Sequence, residues 1–226
     1  MPALPGSAGT VTDTLDLGGR TLGLLRPADA DELLDALLEE HDPSEDDLPF
    51  WAEQWPSGVA LGRELLGRDL RGVEAVELGC GLGLVSVAAA MAGANMLATD
   101  WSRDALAFAA ANAAGNGVQV ATARVAWADP GALVERAPWP LVLAADVLYE
   151  LRNVDLLLDL LGRLAGDGSE VLLADPGRPP WAVFEAGLGR RGWLVTELTT
   201  PIGGVTLRSL RRPGTGAGTP PSQSTA

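Results

Sequence analysis

Between residues 73 and 192 the chain alternates between short apolar runs and longer segments whose apolar residues recur at helical spacing. Short apolar runs bounded by glycine, proline or polar residues predict buried strands, and the longer segments predict helices. The predicted strands are 73–79, 95–100, 118–127, 140–146 and 169–175, and the predicted helices are 84–93, 102–117, 153–166 and 179–192. This alternation predicts a doubly wound α/β fold, in which a mostly parallel sheet carries helices on both faces.

The last part of the chain departs from that alternation. WLVTELTT (193–200) and GVTLRSLRR (204–212) predict two strands with no room for a helix between them. A closing hairpin of this kind puts one antiparallel strand into the sheet, which brings the predicted number of strands to seven.

The N-terminal part predicts smaller elements. TLDLGGRTLGLL (14–25) alternates apolar and polar residues around two glycines, which is typical of a β-hairpin. A short helix is predicted over 31–40, capped by Asp29 or Asp31, and a second helix over 59–67. We therefore expect a loose leader at 1–10, a hairpin and helix extension packed on the main domain at 11–72, the main domain at 73–212 and a disordered tail at 213–226.

Composition narrows the class of protein. With 226 residues, 47% hydrophobic and 20% charged, the chain is expected to form one globular domain. A formal charge of -14 argues against nucleic acid as a partner, since affinity for a phosphate backbone comes largely from basic patches. Cys80 is the single cysteine and His41 the single histidine, so neither a disulfide nor a metal site is expected. No signal peptide or membrane span is recognisable; we expect a cytoplasmic monomer, and the Ala/Gly/Leu/Arg-rich composition is typical of high-GC bacteria.

The loop after the first predicted strand, VELGCGLGL (76–84), indicates a nucleotide-type cofactor site. Its glycines are Gly79, Gly81 and Gly83, whereas the dinucleotide pattern G-x-G-x-x-G requires its third glycine where Leu84 stands. Glu77 lies two residues before the first of these glycines and would repel a pyrophosphate. S-adenosylmethionine carries a sulfonium and an α-ammonium instead, which an acid at this place attracts. The loop therefore favours S-adenosylmethionine over a dinucleotide.

Other residues at the ends of strands complete the predicted cofactor site. Asp100 ends the second strand, where an acid can accept hydrogen bonds from both ribose hydroxyls, and Trp101 follows it. Trp127, after the third strand, is predicted to pack on the adenine edge with Ala126 and Asp129 near the adenine amino group, although a tryptophan at a strand end is often only a core residue. Trp51 and Trp55, in PFWAEQWPSG, are predicted to close over the cofactor or merely to staple that segment to the sheet.

Asp146 and Tyr149 directly follow the fourth strand, in AADVLYE (144–150), where the methyl group would be presented. A buried Asp–Tyr hydrogen bond without catalytic purpose is the alternative. Their position at the mouth of the strand favours a catalytic role, which we interpret as positioning of an amine rather than strong general-base catalysis.

With these motifs the chain resembles the seven-β-strand methyltransferases, and among them the family of electron-transfer-flavoprotein lysine methyltransferase and the methyltransferase-like protein-lysine enzymes. The resemblance covers roughly residues 12 to 212. ELGCGLG is shared by the superfamily, whereas PFWAEQWPSG and the acid-x-x-Tyr of AADVLYE are closer to this family. The resemblance implies a Rossmann-like sheet, the cofactor residues named above, Asp146 beside the acceptor nitrogen and the cofactor, and Tyr149 shaping the acceptor pocket.

Three functions stay open on the sequence. The first is methyl transfer to a nitrogen of a protein side chain, most simply lysine. The second is methyl transfer to a small-molecule amine, because one fold hosts both activities. The third is a cofactor-binding interaction module without catalysis, against which the acids and glycines at every expected place count.

Overall fold

The computed structural model describes residues 9–29, 32–34 and 48–212. The strands are β1 (Thr10–Asp16), β2 (Thr21–Pro27), β3 (Glu74–Leu78), β4 (Asn95–Asp100), β5 (Val120–Arg124), β6 (Leu141–Ala145), β7 (Glu170–Asp175), β8 (Leu194–Leu198) and β9 (Thr206–Arg211). The helices are α1 (Pro56–Leu66), α2 (Leu84–Met91), α3 (Arg103–Gly115), α4 (Ala132–Glu135), α5 (Arg152–Leu164) and α6 (Pro179–Arg190), and a 3₁₀ turn covers Phe50–Ala52.

Seven strands form one sheet in the order β5-β4-β3-β6-β7-β9-β8, and β1 pairs with β2 in a separate hairpin. The five strands from β5 to β7 are parallel, and β9 runs antiparallel to both of its neighbours. The predicted doubly wound α/β fold and its single antiparallel strand are confirmed. The sequence did not predict that β9 inserts between β7 and β8, nor did it predict α4, which is too short to show a helical period.

Two apolar clusters lie on opposite faces of the sheet, because successive side chains of a buried strand point to opposite sides. Ala75 of β3 belongs to the cluster under α1, α2 and α3, whereas Val76 belongs to the cluster under α5 and α6. Leu61 and Phe108 anchor the first cluster, and Phe184 anchors the second. Burial on both faces explains why the strands read as continuous apolar runs instead of alternating ones.

The N-terminal hairpin forms where its glycines predict a turn, with φ values of 81° at Gly18 and 88° at Gly19. Asp29 caps the next segment, since its Oδ1 accepts a hydrogen bond from the backbone N–H of Glu32 at 3.3 Å. Residues 32–34 are helical, and the rest of the helix predicted over 31–40 lies outside the described residues, as do residues 1–8 of the predicted leader and the predicted tail. Within the described part of the chain, no helix is long and apolar enough to cross a membrane.

Asn112 of α3 ties the hairpin to the main sheet. Its side-chain oxygen accepts from the backbone N–H of Leu25 at 2.6 Å, and its Nδ2 donates to the carbonyls of Leu25 at 2.9 Å and Leu82 at 2.8 Å. Asn116, one turn later, does the same for both backbone groups of Gly23. The two side-chain amides thus form hydrogen bonds with the backbone of β2. Asn112 also binds the turn between β3 and α2.

We predict that Asn112→Ala lowers the free energy of unfolding by about 3 kcal/mol, because it removes three buried hydrogen bonds and leaves their backbone partners unpaired. Asn95→Ala is the matched control: Asn95 is exposed and its side chain donates to the Glu74 side chain at 2.7 Å, so the loss of free energy should stay below about 1 kcal/mol. Urea unfolding followed by circular dichroism measures both. Equal losses for the two variants would contradict the bridging role of Asn112.

Candidate functional site

A cavity of about 580 Å³ opens at the carboxyl ends of the parallel strands. It lies where the strand order changes direction, because β3 has β4 as its neighbour on one side and β6 on the other. Ligands of open α/β sheets bind at such a switch point. Its walls come from the loops after five strands, β3 to β7, together with residues around the 3₁₀ turn.

Most of the residues that the sequence assigned to the site line this cavity: Trp51, Trp55, Glu77, Gly79, Gly81, Asp100, Trp101, Ala126, Trp127, Asp146 and Tyr149. The exceptions are Gly83 and Asp129. Further walls come from Leu82, Val85, Val125, Val147 and Asn153.

Two glycines of the turn let neighbouring groups approach the backbone. Gly79 and Gly81 have φ values of 69° and 49°. A Cβ at Gly79 would lie 3.2 Å from Val147 Cγ1, and one at Gly81 would lie 3.2 Å from the Trp51 carbonyl oxygen. Because glycine has no Cβ, it allows Val147 and Trp51 to approach the backbone of the turn this closely.

Gly83 does not line the cavity, and its assignment to the cofactor site stays a prediction. It has φ of 81° and precedes α2, and a Cβ there would lie 2.6 Å from Ala109 Cβ and 2.7 Å from Ala109 Cα. The close approach that this glycine permits is therefore to helix α3, and it is not among the residues that line the cavity. Packing against α3 therefore requires glycine at this position.

Glu77 is a buried acid at the floor of the cavity, 2% exposed. The Ser86 hydroxyl of α2 donates a hydrogen bond to its Oε2. Burial raises the pKa of Glu77 to about 8; the hydrogen bonds with Ser86 oppose that rise and the nearby charge of Asp100 adds to it. A cation bound beside Glu77 would favour its ionised form, so the site is suited to a positively charged ligand.

Asp100 connects two walls of the cavity. Its Oδ2 accepts from the backbone N–H of Gly81 at 3.0 Å, and its Oδ1 accepts from that of Ser102 at 2.9 Å. Burial raises the pKa of Asp100, and these backbone hydrogen bonds oppose the rise. A carboxylate has about four lone-pair sites, so Asp100 has acceptor capacity beyond these backbone hydrogen bonds, as recognition of two vicinal hydroxyls requires. Trp101, the next residue, is 41% exposed at the rim of the cavity.

Trp127 packs beside the glycine turn, with its ring 3.7 Å from where a Cβ of Gly79 would lie. Ala126 forms an isolated bridge with Asp129, and the Asp129 N–H donates to the Ala126 carbonyl at 3.0 Å. This tight turn holds Trp127 against the cavity. Asp129 itself does not line it.

Asp146 and Tyr149 line the cavity from the loop after β6. Asp146 has φ of 59°, which is uncommon for a residue with a side chain and costs conformational energy. The ring of Tyr149 lies 5.6 Å from the ring of Phe50, whose carbonyl accepts a hydrogen bond from Trp55 Nε1 at 3.0 Å. The 3₁₀ turn thus brings aromatic side chains over a carboxylate that is almost fully buried.

Arg178 is a charged residue of the site that the sequence did not predict. It follows β7, lines the cavity and forms an ion pair with Asp146. Its position in the sequence could have indicated this role. Because β7 is the parallel neighbour of β6, a charged residue just after β7 lies at the same edge of the sheet as Asp146.

Comparison with solved structures establishes the fold as that of methyltransferases. The magnesium protoporphyrin IX methyltransferase ChlM of Synechocystis PCC 6803, solved with bound SAM, superposes with a TM-score of 0.58 at 17% identity, covering 82% of this chain and 92% of that one. The 16S rRNA N2 G1207 methyltransferase RsmC of T. thermophilus gives a TM-score of 0.61 at 14% identity, covering 94% of this chain and 52% of that one.

The sequence belongs to the lysine methyltransferase family, whose sequence model matches residues 51–179. The electron transfer flavoprotein beta subunit lysine methyltransferase of Xenopus laevis is 37% identical over 134 residues, 58% of this chain and 53% of the relative. Protein N-lysine methyltransferase METTL21A of Danio rerio is 35% identical over 127 residues, 53% of this chain and 58% of the relative. The chain thus spans about half the length of the curated relatives that it matches.

We predict that Gly83→Ala destabilises the protein by more than about 3 kcal/mol, since strain at positive φ adds to a clash with the backbone of α3. Gly117→Ala is the matched control, because Gly117 has φ of 71° but nothing within 4 Å of an added Cβ. It should cost about 1 kcal/mol from backbone strain alone. Thermal unfolding by calorimetry gives both values; similar losses would mean that packing on α3 is not the reason for the glycine.

We predict that Glu77→Gln changes how stability depends on pH. The folded pKa of about 8 lies above the ordinary value of 4.5, so the folded state binds an extra proton between these pH values and the stability conferred by Glu77 falls as pH rises from 5 to 8. One pKa unit corresponds to about 1.4 kcal/mol. Between pH 5 and pH 8 the free energy of unfolding of Glu77→Gln should therefore rise relative to that of the wild type by more than about 2 kcal/mol.

Chemical unfolding at a series of pH values measures this difference. The control is Glu74→Gln, at the exposed start of the same strand. A constant difference between Glu77→Gln and the wild type from pH 5 to pH 8 would show that the Glu77 carboxyl is not buried as described.

Proposed function

We propose that this protein is an S-adenosylmethionine-dependent methyltransferase that transfers a methyl group to a lysine amine of a protein. The observation that carries the proposal is the buried carboxyl of Glu77 directly below the glycine turn. A pyrophosphate placed on this turn would be repelled by the ionised form of this acid, whereas a ligand carrying a sulfonium and an ammonium would stabilise that form.

The neighbouring residues suit the rest of such a cofactor. Asp100 is held by two backbone N–H groups with carboxylate lone pairs left for the ribose hydroxyls. Trp127 and Ala126 would border the adenine, and the glycine turn would support the amino-acid part. S-adenosylmethionine would supply the electrophilic methyl group.

Methyl transfer requires the amine nitrogen to form a bond to carbon while the carbon–sulfur electron pair returns to sulfur. The amine must therefore arrive without its proton and in line with the breaking bond. Trp55 and Tyr149 would exclude water and lower the pKa of the incoming lysine by desolvation. Asp146 would orient the amine by accepting a hydrogen bond from it, so its contribution is positioning.

Exposed side chains beside the cavity favour a protein as the acceptor over a small amine. Phe50, Tyr149, Leu151 and Leu156 are large apolar side chains that are all more than a third exposed around the acceptor end. A small amine would not cover such a surface, whereas a folded substrate would. The names of the relatives, which are lysine methyltransferases, support lysine as the acceptor. A cytoplasmic location, a bacterial source and a monomeric state stay predictions.

We predict that the protein binds S-adenosylmethionine and S-adenosylhomocysteine in calorimetric titration and does not bind NAD. Asp100→Ala should weaken binding at least tenfold, about 1.4 kcal/mol, because it removes the acceptor for the ribose. Asp104→Asn, in the first turn of α3 and outside the lining of the cavity, is the control and should bind as the wild type does. Binding of NAD without binding of S-adenosylmethionine would overturn the proposed function.

A further inference from the structure

Arg178 reaches the acceptor end of the cavity from the loop between β7 and α6. Asp175 fixes this loop, because its Oδ1 accepts hydrogen bonds from the backbone N–H groups of Gly177 at 2.6 Å and Arg178 at 3.3 Å. The loop is held through its backbone, which leaves the guanidinium to be positioned by contacts of its own.

Those contacts are with a carboxylate and an aromatic ring. Arg178 Nη1 donates to Asp146 Oδ1, and the guanidinium carbon lies 5.8 Å from the centre of the Trp55 ring. The side chain of Asp146 is 6% exposed, whereas that of Arg178 is 30% exposed, so the arginine covers the carboxylate from the solvent side. A carboxylate and an aromatic face are also the partners that bind a lysine ammonium most favourably.

We propose that Arg178 is a specificity-determining residue, which competes with the acceptor amine for Asp146. The inference rests on the proposed function for the identity of the acceptor as a lysine amine. A lone lysine amine that enters the site as its ammonium, before it loses the proton, forms one ion pair with Asp146 and breaks another. The guanidinium that it displaces is more weakly hydrated and presents a planar set of donors that fits a carboxylate better than an ammonium does. A free amine therefore gains little by binding.

A lysine carried on a protein has additional contacts to offset the loss of the Arg178–Asp146 pair. Phe50 and Tyr149 pack together at the mouth of the cavity, and Leu156 lines it nearby. Contacts on these exposed apolar side chains form only when the amine belongs to a larger molecule. Arg178 thus selects amines embedded in a polypeptide and rejects free amines, without touching the glycine turn.

The test measures binding of N-acetyl-lysinamide, a lysine side chain without flanking residues, by calorimetry with and without saturating S-adenosylhomocysteine. Arg178→Ala should bind this probe at least about tenfold more tightly than the wild type. Arg178→Lys keeps a cation but loses the planar set of donors, so it should bind the probe with an affinity between those of the wild type and Arg178→Ala, an order that a merely structural role would not predict. Arg191→Ala is the control, since Arg191 pairs with Asp159 on the surface beyond the end of α6.

An Arg178→Ala protein that binds the probe no more tightly than the wild type overturns the proposal. So does an equal gain in the Arg178→Ala/Asp146→Asn double variant, because the gain is expected to need the freed carboxylate. Arg178→Met retains the aliphatic stem and replaces the alanine variant if that variant does not fold. Parallel titrations with S-adenosylmethionine separate the two claims. If Arg178→Ala binds the probe more tightly but the protein does not bind S-adenosylmethionine, the competition for Asp146 is supported and the proposed function is overturned. If the protein binds S-adenosylmethionine but Arg178→Ala shows no gain in probe affinity, the proposed function is supported and the competition is overturned.

Discussion

The rest of the structure depends on the tight turn that joins β3 to α2. Gly79, Gly81 and Gly83 all have positive φ, and each lets a different neighbour approach the backbone: Val147 from the loop after β6, Trp51 from the 3₁₀ turn and Ala109 from α3. A turn with side chains at these positions would separate those elements by the size of a methyl group. The cavity would then lose the shape that its floor and its two walls define together.

The same turn gathers the polar groups on which the site depends. Asp100 receives the N–H of Gly81, and Asn112 binds the Leu82 carbonyl, so the loop is fixed from β4 on one side and from α3 on the other. Glu77 is buried beneath it with a serine hydroxyl as its hydrogen-bond donor. Burying two acids with so few partners costs stability. Such an arrangement is typical of functional sites, where a ligand supplies the missing charge.

Much of the fold and of the cofactor end could be predicted because the signals are local. A buried parallel strand needs a continuous apolar run, so β3, β4, β6 and β7 were visible in the sequence. Glu77 and Asp100 stood out because each lies at a strand end beside a glycine or a cap. What could not be predicted depends on contacts between distant segments. The ion pair of Arg178 with Asp146 joins two loops, the insertion of β9 reverses the order of the final strands, and Gly83 owes its place to Ala109 of another helix.

The central claim is that the cavity brings a protein lysine to the cofactor beside Asp146. The most direct measurement incubates the protein with S-adenosylmethionine labelled in its methyl group and with a protein extract, then hydrolyses the precipitated protein and separates the amino acids. The account predicts label in methylated lysine, lost with Asp146→Asn and kept with the surface variant Asp69→Asn. Label in another amino acid, label only in small molecules, or equal label with Asp146→Asn would contradict it.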